Sequence, residues 1–117
     1  MKQTIGFICD APNNEITNKL MSWCKKNIKN FSFANINKNK KAKSILDNAD
    51  FAIASLAKNK INRLVAIDDY GIAAFMYISK FPHIVVAEIS DEHSAKMTIG
   101  HNNATALSFG SKISTFE

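Results

Sequence analysis

Apolar residues recur along this chain in two alternating rhythms. Thr4-Ile5-Gly6-Phe7-Ile8-Cys9 is a short, largely apolar run that stops at Asp10 and meets Ala11-Pro12-Asn13-Asn14. A run of that length closed by a Pro/Asn cluster reads as a buried strand entering a turn. The period then changes: Ile16, Leu20, Trp23, Cys24 and Ile28 fall on one helical face, with Asn13 or Asn14 available as N-cap. Phe31 to Ile36 reads as a second strand, and Ala42, Ile45, Leu46, Ala49, Ile53 and Leu56 repeat at helical spacing. Leu64-Val65-Ala66-Ile67 is again a continuous apolar run, stopped by Asp68-Asp69; Gly71 opens a third helix carrying Ala74, Met76, Ile78 and Phe81. Ile84-Val85-Val86-Ala87 is a fourth strand, Ser90-Asp91-Glu92 caps a fourth helix through Met97, and Ala104 to Phe109 is a last strand with Gly110 turning the chain.

Strands that are apolar on both faces and alternate with helices require a parallel sheet covered on each side. The pattern therefore predicts a three-layer α/β/α domain with right-handed crossovers. In such open sheets ligands bind outside the carboxyl ends of the strands. The polar residues at those ends are Asp10, Asp68 and Asp69, and the stretch from Glu88 to Asp91. His101-Asn102-Asn103 precedes the last strand, so it reaches that mouth only through a loop or by crossing from a neighbouring molecule.

Composition narrows the class. The chain has 117 residues, 46% hydrophobic and 21% charged, which fits one globular domain, residues 1–117, and excludes a disordered or disulfide-stapled chain. No apolar run approaches the roughly 20 residues of a membrane helix, and the N-terminus lacks a signal-peptide core. No membrane association is expected. Cys9 and Cys24 are then expected as free thiols in a cytoplasmic protein. The net charge of +5 is uneven: residues 1–62 carry eleven Lys against four acids, residues 63–117 one Arg and three Lys against six acids. Nine lysines lie between Lys25 and Lys60, which raises a nucleic-acid surface. Against it, Arg63 is the only arginine and the stretch Asn35 to Lys41 has no aromatic residue to stack a base. A solvated lysine-rich loop and no nucleic-acid partner are expected, and the thirteen Asn beside fourteen Lys read as compositional bias.

Asp68-Asp69-Tyr70-Gly71 is the most informative spot. Two adjacent carboxylates between a buried strand and a helix start suit a phosphate or enediolate site, where free N–H groups gather. They equally suit a capping Asp beside a solvated one. Asp10 either holds a sugar hydroxyl or bonds the backbone of its own turn. His101 titrates near neutrality and is either a general acid or base, or an idle surface imidazole. His83 and His93 read as structural or exposed, and Cys9 as an inert buried thiol rather than a nucleophile. No metal-ligand spacing is visible and no Gly-rich Lys-Ser/Thr phosphate loop exists, so neither metal nor nucleotide cofactor is expected.

From residue 63 to 113 the chain resembles a known family. Val65-Ala66-Ile67-Asp68-Asp69-Tyr70-Gly71, then Ala87-Glu88-Ile89-Ser90-Asp91-Glu92-His93-Ser94-Ala95 and Gly100-His101-Asn102-Asn103-Ala104, are similar to the A subunits of galactose-6-phosphate isomerase. That branch belongs to the type B ribose-5-phosphate isomerase family. The resemblance implies a Rossmann-like domain with a five-stranded parallel sheet. It implies a cofactor-free aldose–ketose isomerase, with galactose 6-phosphate and tagatose 6-phosphate as the expected pair, working through a cis-enediol at a site between two subunits. It places His101 in catalysis, Asn102 beside it, Asp10 at the substrate, and Asp69-Tyr70-Gly71 on the family's Gly-Thr-Gly turn. Asp68 stands where the family has its cysteine base. That base is missing from A subunits, which work beside a cysteine-bearing B subunit. Assembly is thus expected either as a homodimer or higher oligomer with Asp68 as base, or as a hetero-oligomer with a B-type partner. Other departures are Ala11 for a phosphate-side histidine, Ile99 and Thr105 for arginines, and the family's C-terminal helix, expected beyond Glu117 and lacking here. These leave room for an alternative: a degenerate member acting as a binding or scaffold subunit.

Overall fold

In the computed structural model, which describes residues 3–81, 84–89 and 105–111, five strands form one sheet in which every pairing is parallel. In chain order the elements are β1 (Gln3–Cys9), a 3-10 turn (Ala11–Asn13), α1 (Asn14–Asn27), β2 (Phe31–Asn35), α2 (Leu46–Ala57), β3 (Arg63–Asp68), α3 (Ile72–Ile78), β4 (Val86–Ile89) and β5 (Ala106–Gly110). The strand order is β2-β1-β3-β5-β4. Three layers follow from the alternation of side chains along each strand. Ile8, Leu64 and Ala66 face one way and pack with Ala49, Ala52, Ala74 and Ile78 of α2 and α3. Phe7, Cys9 and Ile67 face the other way and pack with Cys24, Leu20 and Met21 of α1. Phe7, Ile8, Ile45, Leu64, Ile67 and Ile78 are the largest fully buried apolar side chains, each contributing about 1.5–3 kcal/mol through burial.

Several local expectations are corrected. Trp23 does not join the inward face of α1; it is 57% exposed. At about 100° per residue, the helix turns Thr17, Leu20, Met21 and Cys24 toward the sheet and carries Trp23 to the flank. Thr17, a polar residue that the apolar count passes over, is the one completely buried on that face. Ile28 caps the helix rather than packing under it. Met76, expected on the inner face of α3, is 60% exposed, and Leu46 on α2 is 38% exposed. Ala42 and Ile45 are buried as expected but precede α2, whose inner face is Asn48, Ala49, Ala52 and Ser55. The fourth strand runs two residues later than its apolar core suggests. The expected helix from Ser90 to Met97, His83 and His93 lie outside the described residues. Among those described, no helix is long and apolar enough to cross a membrane.

The order of strands determines where a cleft opens. From β1 the chain moves out to β2 through α1 on one face, then returns past β1 to β3 through α2 on the other. The crevice at such a reversal lies between the carboxyl ends of the two central strands. Cys9 pairs in register with Ile67, so the residues that follow them, Asp10 and Asp68, emerge side by side.

Candidate functional site

A cleft of about 320 Å³ opens at this reversal, lined by Asp10, Lys43, Ser44, Ile45, Asp68, Asp69, Tyr70, Ile72 and Ala73. Four residues expected from the sequence, Asp10, Asp68, Asp69 and Tyr70, therefore share one wall system, and Gly71 stands directly behind them. His101 and Asn102 lie outside the described residues.

Asp68 ends β3 and is 5% exposed. One carboxylate oxygen accepts the amide N–H of Gly71, and the other accepts that of Ala74 at 3.2 Å. Both are N–H groups at the start of α3, which lacks intrahelical acceptors for them. Of the two readings open for the Asp pair, the capping role is thus filled by Asp68. Gly71 meets the geometry this demands: its φ is +79°, and a Cβ there would stand 2.9 Å from the amide nitrogen of Gly110. Gly110 is not the turn residue expected. It ends β5, where a Cβ would lie 2.6 Å from the carbonyl oxygen of Tyr70, so its hydrogen lets the strand pass the turn. Ser108 donates its hydroxyl to the Gly71 carbonyl at 2.6 Å, and the Ser111 amide donates to the Asp68 carbonyl at 2.7 Å. The Asp69-Tyr70-Gly71 turn is held from β5 on one side and by Asp68 on the other.

Asp69 and Asp10 are bridged by Asn13. Its side-chain amide donates to Asp10 at 2.6 Å and to Asp69 at 3.2 Å, while its carbonyl oxygen accepts the Ser111 hydroxyl. Asn13 does occupy the N-cap position of α1, but its side chain makes no cap bond; it joins three segments beneath the cleft instead. A carboxylate has about four acceptor sites, so Asp10 and Asp69 retain capacity to accept ligand hydroxyls.

Lys43 and Ser44 also line the cleft. The loop carrying them is not merely solvated, and the asparagines around it are not compositional filler. Asn48 is fully buried and donates to the carbonyls of Cys9 at 3.0 Å and Asn39 at 3.1 Å, while accepting the Asn39 amide at 2.9 Å. Asn37 accepts the Cys9 amide at 2.9 Å and its amide group contacts the Cys9 sulfur at 3.2 Å. Asn14 donates to the Lys40 carbonyl, and the Ala11 amide donates to the Ala42 carbonyl at 2.7 Å. Cys9 is buried within this network. Away from it, burial pushes the Cys24 thiol above its ordinary value. The Tyr77 hydroxyl donates to Asp50 between α2 and α3, and this bond pushes the phenol's pKa up, holding its proton on. Among the described residues no cluster of three His, Cys, Asp or Glu could hold a metal ion.

Sequence reasoning missed Asn13, Lys43, Ser44 and Ser111. For Lys43-Ser44 the available signal was the pair of apolar neighbours, Ala42 and Ile45, which anchor in the core; for Asn13 and Ser111 no local signal existed.

Comparison with known proteins adds the following. The family described as Ribose/Galactose Isomerase matches residues 5–117. Galactose-6-phosphate isomerase subunit LacA of Clostridium acetobutylicum is 41% identical over 70 residues, covering 60% of this chain and 49% of that protein. The subunit of the same name from Streptococcus mutans is 44% identical over 70 residues, 55% of this chain and 49% of that one. The chain thus spans about half the length of the relatives it matches. Among solved structures, type B ribose 5-phosphate isomerase of Trypanosoma brucei superposes with a TM-score of 0.88 at 18% identity, covering 99% of this chain and 78% of that one. The type B enzyme of Trypanosoma cruzi gives 0.88 at 20% identity, with 99% and 76% covered. At those identities the likeness speaks to fold, and it matches the parallel α/β architecture read from the sequence.

Proposed function

This chain belongs to the ribose/galactose isomerase family, and from that membership we propose that it is one subunit of an aldose–ketose isomerase acting on a sugar phosphate, with galactose 6-phosphate and tagatose 6-phosphate as the substrate pair. The observation that carries the reading is the convergence of Asp10, Asp68, Asp69 and Tyr70 on one cleft at the β1–β3 reversal.

In this proposal Asp10 and Asp69 accept sugar hydroxyls, with Asn13 fixing both carboxylates from below. Tyr70, 52% exposed, forms a wall against the carbon chain. The Asp69-Tyr70-Gly71 turn faces the developing enediolate. His101 serves as the acid that opens the ring by protonating its oxygen, and Asn102 orients the substrate beside it. A base then removes the C2 proton, giving a cis-enediol, and returns it to C1; the C1 aldehyde is reduced to an alcohol as the C2 alcohol becomes a ketone. The reaction is redox-neutral and needs no co-reactant. Asp68 is a poor candidate for that base, because each of its oxygens already holds a backbone amide. We therefore assign the base to a cysteine of a B-type partner subunit, with the site shared between the two. The same engagement of Asp68 favours, as second reading, a binding subunit with no catalysis of its own.

The test is reconstitution. The purified chain alone is expected to convert galactose 6-phosphate negligibly, and addition of a cysteine-bearing B-type subunit to restore turnover, followed by NMR of the sugar. His101→Ala in the reconstituted pair should lower kcat by about two orders of magnitude or more, the usual worth of a general acid. Turnover by the chain alone that Asp68→Asn abolishes would make Asp68 the base. A pair that never turns over, yet is stabilised thermally by the sugar phosphate, would leave the binding-subunit reading.

A further inference from the structure

Charge is distributed unevenly around the cleft. Lining it are the carboxylates of Asp10, Asp68 and Asp69 and, among the described residues, a single cation, Lys43. Lys43 makes no ion pair with any of those residues, whereas the one salt bridge among them joins Lys19 and Glu15 on the outer surface of α1.

An exposed lysine on a loose loop would signify nothing. This one is placed. Ala42 before it and Ile45 two residues after it are 2% and 1% exposed, so the backbone on both sides is anchored in the core. The Ala42 carbonyl is tied to the Ala11 amide beside Asp10. The buried Asn48 ties the preceding stretch to the end of β1. The Ser44 oxygen accepts the Leu46 amide at 3.2 Å, and Lys43 beside it is the charged donor placed to meet a ligand. The other loop lysines, Lys38, Lys40 and Lys41, do not line the cleft.

From this geometry we infer that Lys43 is the anion-holding residue of the cleft: it takes the phosphate ester of the ligand and thereby fixes which end of the sugar lies against Asp10 and Asp69. The identity of the anion as a sugar phosphate rests on the isomerase reading; the anion site itself does not. A phosphate dianion is repelled by the carboxylate wall and attracted to the ammonium, while sugar hydroxyls suit the carboxylate acceptors. The substrate is oriented by this contrast. Lys43 is a binding residue and takes no part in proton transfer.

Two measurements decide the matter. In the reconstituted isomerase, Lys43→Ala should raise KM for galactose 6-phosphate about tenfold or more, as expected for one charge-assisted contact, with kcat nearly unchanged; Lys43→Arg should recover most of it. Lys41→Ala, on the same loop but off the cleft, should leave KM alone. In the chain by itself, inorganic phosphate should raise Tm, the rise should shrink with added sodium chloride, and Lys43→Ala should abolish it. An unchanged KM in Lys43→Ala, with the wild-type enzyme active, overturns the inference and leaves the isomerase reading standing. If the wild-type assembly has no turnover, that reading falls instead and the phosphate titration still rules on Lys43: a Tm rise lost in Lys43→Ala supports the anion site. A rise that persists in Lys43→Ala, or no rise in the wild type, removes it.

Discussion

At the scale of single residues, the polar side chains under the cleft do structural work that their residue types leave open. Asp68 is the clearest instance. A carboxylate between strand and helix can cap or catalyse, and here both oxygens bind the amides of Gly71 and Ala74. Asp68→Ala would leave two N–H groups of α3 without acceptors in a site that is 5% exposed, with a stability loss of about 2–3 kcal/mol expected, measured by urea denaturation. Asp68→Asn should lose less, since its carbonyl oxygen still accepts one amide. An unchanged urea midpoint in the alanine variant would show that these bonds contribute nothing. That Asp68 ends a strand at the mouth of the sheet was legible from the break between an apolar run and Gly71. Which of its two roles it plays was not, because the deciding partners are backbone groups placed by α3.

At the scale of elements, periodicity was most reliable where both faces of a strand are buried. β1 and β3 emerge from their apolar runs almost to the residue. Helices were read less well, because a hydrophobic count treats every apolar residue as inward. α1 buries Thr17 and exposes Trp23; α2 places Asn48 at its inner face. Asn48 illustrates why: its amide is buried with its three bonds to Cys9 and Asn39 made internally, and a polar side chain so satisfied incurs little of the usual burial cost. Asn48→Ala is expected to cost about 2–4 kcal/mol, from orphaned buried groups and the space left. It should also free the loop ahead of α2. Limited trypsinolysis would then cut at Lys40, Lys41 and Lys43 earlier than at Lys58 and Lys60, the reference sites beyond α2. Equal cutting in variant and wild type would mean that the loop is held by other contacts.

At the scale of the whole molecule, the cleft exists because the end of β5 presses against the turn after β3. Gly110 permits that approach, and the Ser108 hydroxyl and the Ser111 amide fasten it. Gly110→Ala should force the two apart at a cost of about 1–3 kcal/mol, seen as a lower Tm. Because the same displacement moves Asp69 and Tyr70, the stabilisation by sugar phosphate that the proposed function requires should fall with it. A variant that melts and binds as the wild type does would show that the approach is not close. The fold as a whole was legible: alternating elements with doubly buried strands admit few architectures besides a parallel sheet between helices. The location of the cleft followed from it, since Asp10 and Asp68 both end strands.

The amino-acid sequence by itself determined the kind of sheet, the strand ends that carry carboxylates, and the resemblance that names the family, because apolar period and turn chemistry are local properties. Tertiary structure alone decided that Asn13 joins Asp10 to Asp69 and Ser111, partners as far as 98 residues away. It alone placed Lys43 in one cleft with Asp10 and Asp69. A polar side chain's role is settled by whichever donors and acceptors packing brings within reach, and in a parallel sheet those arrive from distant strands and crossovers.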